Sequence, residues 1–483
     1  MVDLKKELEG YEFSPEAGRT IWYHIHHLLI GTYGVYCKDW PTEWPNPKLV
    51  LAADFKNHNV KWFFIVTSSK VFTEFLDKIL GDDKLLQKIE DYITIMKERG
   101  ISELEGVDLK SISDIDLNKK LKHYFDHLQY LLIAAGNIRR ADRALLAVVR
   151  DKYKERADEV LRISSIMTKP SFGLEEEISL LRLAVKIENG EIKEDKKEAE
   201  LKKIHDTYAW SVIGYHDEKP KTISYYSEKL DHFVKEGALK ILKEIQDKIK
   251  ADLKERTDYV EKLPKEDKII ADIASRSAYL KDYLKSCINE LEYFAEPLFD
   301  ELERRTKLPK NYTKDLAPTE ILELLDGKKV DNNLFDERIN HNIIIYIFGE
   351  IMTLNGREAD EFEETYLKVK ASVAKEFKGR IACSGKVTGR VAVVKGHEDF
   401  HKVKQGDVLV VLNTSPDYVP VLKKVSAIVA EEGGLTAHVS VISREFGIPC
   451  LVGINHITQY LKDDDLVEVD ATKGIVRVLE KAK

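Results

Sequence analysis

A chain of 483 residues, 43% of them hydrophobic, is long enough for two to four globular domains at roughly 150 residues each. Its 84 acidic and 76 basic side chains leave a net charge of −8, so no overall positive field favours nucleic acid or an anionic membrane surface. No stretch approaches about 18 unbroken apolar residues and Met1-Val2-Asp3-Leu4-Lys5-Lys6-Glu7 has no apolar leader segment, so neither membrane spanning nor secretion is expected, and the expected location is cytoplasmic.

From the start to about residue 330 the pattern is mostly helical, rich in Lys and Glu with few turn clusters. Trp22-Tyr23-His24-Ile25-His26-His27 crowds three histidines, but His24 and His26 fall on opposing sides of a helix and lack a carboxylate pair, so no metal site is expected. Trp40-Pro41-Thr42-Glu43-Trp44-Pro45-Asn46-Pro47 is a loop, because three prolines fall within seven residues. A second aromatic interruption runs Tyr208-Ala209-Trp210, then Gly214-Tyr215-His216. Leu230, Val234, Ala238, Ile241, Ile245 and Ile249 form one apolar stripe at helical spacing across 230–249. Another helix is expected from Ile269 through Leu291, bent or ended by Pro297. Cys37, Cys287, Cys383 and Cys450 lie far apart without C-x-x-C spacing, which predicts four reduced thiols rather than a zinc site or disulfide framework.

Gly327-Lys328-Lys329-Val330-Asp331-Asn332-Asn333 reads as a boundary, and Asn342 to Phe348 as a buried strand. Residues 331–380 are then a strand followed by a linker, with a hinge expected between Lys368 and Ser384. From Ile381 the texture changes to short strands and glycine turns. Strands are expected at 385–394, 406–412, 427–430, 448–452 and 466–469, with short helices at 417–425 and 438–446. Asp463-Asp464-Asp465 reads as a solvated turn rather than a magnesium site. The predicted fold class is multi-domain: a large, mostly α-helical region over 1–330, of one or two subdomains, and a compact α/β domain over 381–483.

The chemistry concentrates in Glu431-Glu432-Gly433-Gly434-Leu435-Thr436-Ala437-His438, which follows a predicted strand and opens a helix that Gly447 closes. Two glycines let the backbone turn tightly and approach a ligand, Thr436 can cap, and free N–H groups at a helix start favour an anion. A largely neutral imidazole there offers one ring nitrogen as a nucleophile toward a phosphoryl group.

The run from Gly433 through Arg444 and Gly447 to Gly453 closely resembles the phosphohistidine signature of the phosphoenolpyruvate-utilising enzymes, the PEP synthase and pyruvate phosphate dikinase family. Gly385-Lys386-Val387-Thr388-Gly389 resembles the opening hairpin of that family's swivelling, or mobile, domain. Asn413-Thr414-Ser415-Pro416-Asp417 resembles its loop before a helix, and Asp470-Ala471-Thr472-Lys473-Gly474 its closing turn, where Asp-Gly is commoner than Asp-Ala. The resemblance spans about residues 380 to 480. It implies that His438 is the phosphoryl carrier beside Thr436, that Gly433, Gly434, Thr414 and Ser415 form the phosphate loop, and that Arg444 supports the charged state.

Neither an ATP-grasp signature nor room for a (β/α)₈ barrel is found in this sequence, since thirty residues follow Gly453. By the resemblance, ATP and Mg are expected on a separate ATP-grasp partner, with no cofactor held by this chain. Lys169-Pro170-Ser171-Phe172, Tyr208-Ala209-Trp210 with Tyr215-His216, and Ala278 to Tyr283 also resemble helical regions of PEP-synthase-like proteins and rifampin-type phosphotransferases. That likeness implies an acceptor pocket near Tyr208, Trp210, Tyr215 and His216 for a small molecule. The leading expectation is a phosphohistidine component of a split dikinase-like phosphotransferase. A regulatory or carrier phosphoprotein, or a helical scaffold with a vestigial mobile domain, are the alternatives.

Overall fold

The computed structural model describes residues 14–17, 49–56, 59–66 and 84–482, except 214–218, 330–331, 348–349, 368–374, 395, 413, 415–417, 423, 432–437 and 455–456. The histidine cluster at 24–27 and the proline loop at 41–47 lie outside these residues. Among the described residues no helix is long and apolar enough to cross a membrane.

Helices α1 (Leu85–Ser102), α2 (Asp114–Tyr153) and α3 (Ala157–Ser164) open the helical region. Then come α4 (Phe172–Glu188), α5 (Glu194–Tyr208), α6 (Ile223–Glu236), α7 (Ala238–Glu261) and the 42-residue α8 (Lys265–Thr306). Side-chain oxygens of Ser113, Ser171 and Thr222 cap α2, α4 and α6 by accepting the N–H three residues on, which explains where those helices start. α1, α2 and α8 enclose the main core, where Ile89, Ile93, Leu121, Leu128, Leu284 and Leu291 are buried.

The periodic stripe across 230–249 is not one helix. Gly237 at φ 87° ends α6 and starts α7, yet all six stripe residues still join one smaller core with Leu181 and Tyr226. Pro297 does not end α8 either, because the buried residues Leu298, Phe299 and Leu302 beyond it hold the last turns on the core against one lost backbone hydrogen bond.

Strands are also present where the sequence reading placed none. β1 (Ser14–Ala17), β2 (Leu49–Lys56) and β3 (Asn59–Val66) join β4 (His341–Ile347) and β5 (Glu350–Asn355) in an antiparallel sheet ordered β1-β3-β2-β4-β5. β2 pairs with β4 from Val50↔Ile347 to Lys56↔His341, so one sheet takes strands from both sides of residue 330. β4 is the strand expected at 342–348. It follows α9 (Pro318–Glu323) and α10 (Asn332–Asn340), and β5 is followed by α11 (Arg357–Phe362) and a π-turn at Glu363–Leu367.

The C-terminal sheet comprises β6 (Glu376–Lys378), β7 (Arg380–Cys383), β8 (Lys386–Val394), β9 (Val408–Val411), β10 (Ala427–Ala430), β11 (Cys450–Val452), β12 (Leu466–Asp470) and β13 (Ile475–Glu480). Its order is β6-β13-β12-β8-β9-β10-β11-β7, with β8, β9, β10 and β11 parallel and the flanks antiparallel. β9, β10 and β11 are buried at every residue, as parallel strands covered on both faces must be. One face packs Leu409, Ile428 and Cys450 against α12 (Val419–Leu422) and α13 (His438–Phe446); the other packs Val410, Val429 and Leu451 against α14 (Ile457–Tyr460). Cys383 and Cys450 are register partners across β7 and β11 and, like Cys287, are not disulfide-bonded.

Candidate functional site

In a parallel sheet the loops that follow the strands gather at one edge, where α/β proteins bind ligands. β9 and β10 are parallel neighbours with Val411 beside Ala430, so the segments after them share that edge. Thr414, three residues past β9, is buried at 5% exposure. After β10, the Glu431 N–H continues the ladder by donating to the Val411 carbonyl at 2.9 Å. The buried Glu431 carboxylate accepts the Thr458 N–H at 3.1 Å and the Thr458 hydroxyl, tying the start of the glycine loop to α14.

α13 begins at His438, the residue the motif predicted. Val439 and Ile442 anchor it to the sheet, and Ser440 and Ser443 are fully buried beneath it. Its end is a Schellman turn: Gly447 sits at φ 65° and the Ile448 N–H donates to the Ser443 carbonyl at 2.8 Å. The C-terminal end of the helix is therefore fixed by the glycine the sequence supplies. His438 and Arg444 lie on α13 at its first and seventh residues, while Gly433, Gly434, Thr436 and Ser415 lie outside the described residues.

The sequence reading passed over Arg380. It pairs with Val452 at the end of β11, and its guanidinium lies where a Cβ on Gly453 would come within 2.8 Å, which puts a fixed cation at the same edge. The only early signal was its place just before the opening hairpin. The Asp463 to Asp465 segment is not simply a solvated turn. Asp465 is fully buried, accepting the N–H groups of Lys462 and Ala482 and an ion pair from Lys481, while Asp463 accepts the Val393 N–H at 2.7 Å. Burial works against the Asp465 charge, but these hydrogen bonds hold its carboxyl below the ordinary aspartate value.

In the helical region three stretches far apart in sequence meet on α8. Phe172 lies 5.6 Å from Trp210, ring to ring, and its N–H donates to Asp282 at 2.9 Å. Lys169 sits 4.5 Å over the Tyr279 ring and pairs with Glu90 at 2.7 Å; Tyr279 stacks on Tyr283 at 5.8 Å. Asn289 donates to the Ser211 carbonyl at 3.0 Å, fixing the turn that carries Trp210. Burial raises the Asp282 carboxyl above its ordinary value, with the Phe172 N–H and Lys285 opposing it. Trp210 is 8% exposed, whereas Tyr208 is half-buried 3.5 Å from the Ser179 hydroxyl. Tyr215 and His216 lie outside the described residues.

The C-terminal fold and the placement of its motif define an α/β domain that presents a helix N-terminus at the ligand edge of a parallel sheet. Residues 403–474 match the family model described as "PEP-utilising enzyme, mobile domain", so the chain carries a mobile domain of that family. The probable phosphoenolpyruvate synthase of Methanothermobacter thermautotrophicus is 36% identical over 132 residues, 26% of this chain and 19% of that protein. The phosphoenolpyruvate synthase of Pyrococcus furiosus is 44% identical over 119 residues, 25% of this chain and 14% of its own. That of Aeropyrum pernix is 47% identical over 100 residues, 20% and 12% respectively. The chain thus spans less than a fifth of the length of each of these relatives.

Proposed function

We propose that this chain is the phosphohistidine-carrying component of a split, PEP-synthase-like phosphotransferase. The observation that carries the reading is the match of residues 403–474 to the mobile domain, with α13 starting at His438 on the sheet edge where anions bind. In the first transfer a ring nitrogen of His438 attacks the phosphorus; an N–P bond forms while a P–O bond breaks and its electron pair stays on the departing oxygen. In the second, a nucleophilic atom of the acceptor attacks phosphorus and the N–P pair returns to the ring. The helix start and the backbone of the glycine loop stabilise the phosphoryl charge, and the rest of the catalysis is positioning. A separate ATP-grasp subunit supplies the phosphoryl group and holds ATP and Mg. The acceptor is a small molecule bound by the helical region, a placement supported by the convergence of Phe172, Trp210, Tyr279 and Asp282 on α8. The protein works in the cytoplasm.

The test is co-purification from the native host to capture the ATP-using partner, then incubation with ATP and phosphosite mapping under neutral or basic conditions. Label on His438 that disappears in His438→Ala supports the reading, and label that survives that substitution refutes it.

A further inference from the structure

Outside the mobile domain, one buried imidazole stands between two carboxylates. His341, the first residue of β4, is 3% exposed. The backbone folds α11 back over it: Gly356 at φ 52° turns the chain after β5, and its N–H donates to the His341 carbonyl at 2.9 Å. This brings Asp360 of α11 and Glu363 of the π-turn to the same ring. One donor atom from each of the three residues lies within 4.8 Å of the others.

The two contacts differ in length. His341 Nδ1 is 2.7 Å from Asp360 Oδ1, a full hydrogen bond, while Nε2 is 3.8 Å from Glu363 Oε2, beyond hydrogen-bond reach. With Nδ1 held by Asp360, the Nε2 and Glu363 Oε2 atoms leave a gap as wide as the separation of two ligands on one ion. A cation about 2.1 Å from each atom fits that gap with an angle of roughly 130°, and closing it by about 0.4 Å brings the angle to tetrahedral. The Asp360 contact is the outer-shell carboxylate that orients metal-binding histidines. Glu363 opens a five-residue π-turn, an element that recurs at functional sites because it re-aims a side chain out of helical phase.

We infer that His341 and Glu363 ligate a divalent first-row cation, zinc or manganese, with Asp360 orienting the imidazole and water completing the shell. Imidazole with carboxylate suits these ions better than calcium or magnesium, which favour all-oxygen sets. The ion pins β4 to the π-turn immediately before residues 368–374, and so fixes the root of the segment leading to the mobile domain.

The experiment is calorimetric titration of the EDTA-treated full-length chain with zinc chloride and with manganese chloride, independent of any phosphoryl transfer. One equivalent of saturable binding is expected for at least one of the two ions, weakened at least tenfold by Glu363→Gln and by His341→Gln and less by Asp360→Asn. Circular dichroism confirms the fold of each variant; Glu363→Gln, conservative and partly exposed, keeps the test open if the histidine variant unfolds. Absence of binding of both ions, or binding unchanged by Glu363→Gln, overturns the assignment.

Discussion

Trp210 lies where a packing role and an acceptor role give opposite results, and its burial makes the packing role quantitative. A tryptophan side chain covers up to about 250 Å², and at 8% exposure nearly all of that is removed from water. At about 25 cal/mol per Å² the ceiling is ~6 kcal/mol, and truncations of buried aromatic residues cost about 3 to 5 kcal/mol. Trp210→Ala should therefore destabilise the helical region by about 4 kcal/mol. Trp210→Phe, which keeps a ring facing Phe172, should lose less than half as much. The assay is urea unfolding followed by far-ultraviolet circular dichroism, fitted to the helical transition. The mobile domain has its own cores on the two faces of its sheet, so the proposed phosphorylation of His438 should persist while the helical transition moves. A Trp210→Ala chain with stability within about 1.5 kcal/mol of the parent, half the lower bound, would refute the packing argument. If that chain also lost transfer to the acceptor, the ring would belong to the pocket.

Two further outcomes follow from local chemistry. Hydrogen bonds from Arg304 and then Arg305 hold the Glu301 carboxyl at about 2, against an ordinary 4.5. A depressed carboxylate stabilises the fold above its unfolded value and stops doing so as pH falls through its folded value, so the stability gap between the parent and Glu301→Gln should be full above about pH 4.5 and vanish near pH 2; acid titration of unfolding that leaves the gap constant would contradict this. In the closing turn of the mobile domain Gly474 sits at φ 72°, with the Gly379 carbonyl oxygen 2.6 Å from where a Cβ would stand. Gly474→Ala should cost at least about 1 to 2 kcal/mol, read as a lower melting temperature of that domain, and an unchanged melt would show that the turn relaxes freely.

The mobile domain was legible because its signals are local. Val408–Val411 and Ala427–Ala430 are short apolar runs bounded by turns, as strands buried on both faces require, and the glycine pair, His438 and Gly447 mark the two ends of one helix. The N-terminal strands had a signal that helical texture masked: Asn59–Val66 is rich in β-branched and aromatic residues and follows the apolar start of Leu49–Lys56 after two residues, a hairpin pattern. Gly237 shows the reverse error, since the apolar period runs through a break that a left-handed glycine makes at little cost.

The amino-acid order alone determined the boundary in texture near residue 381, five of the eight strands of the mobile domain, with β6, β7 and β13 missed, and the helix that begins at His438, because each depends on neighbours a few residues apart. Only the tertiary structure decided which distant segments meet. β2 finds β4 nearly 300 residues later, Phe172 finds Trp210 and Asp282, and His341 finds Asp360 and Glu363 through the turn at Gly356. Such pairings are chosen by the shared burial of whole faces and by loop closure, and neither leaves a periodic mark in the sequence.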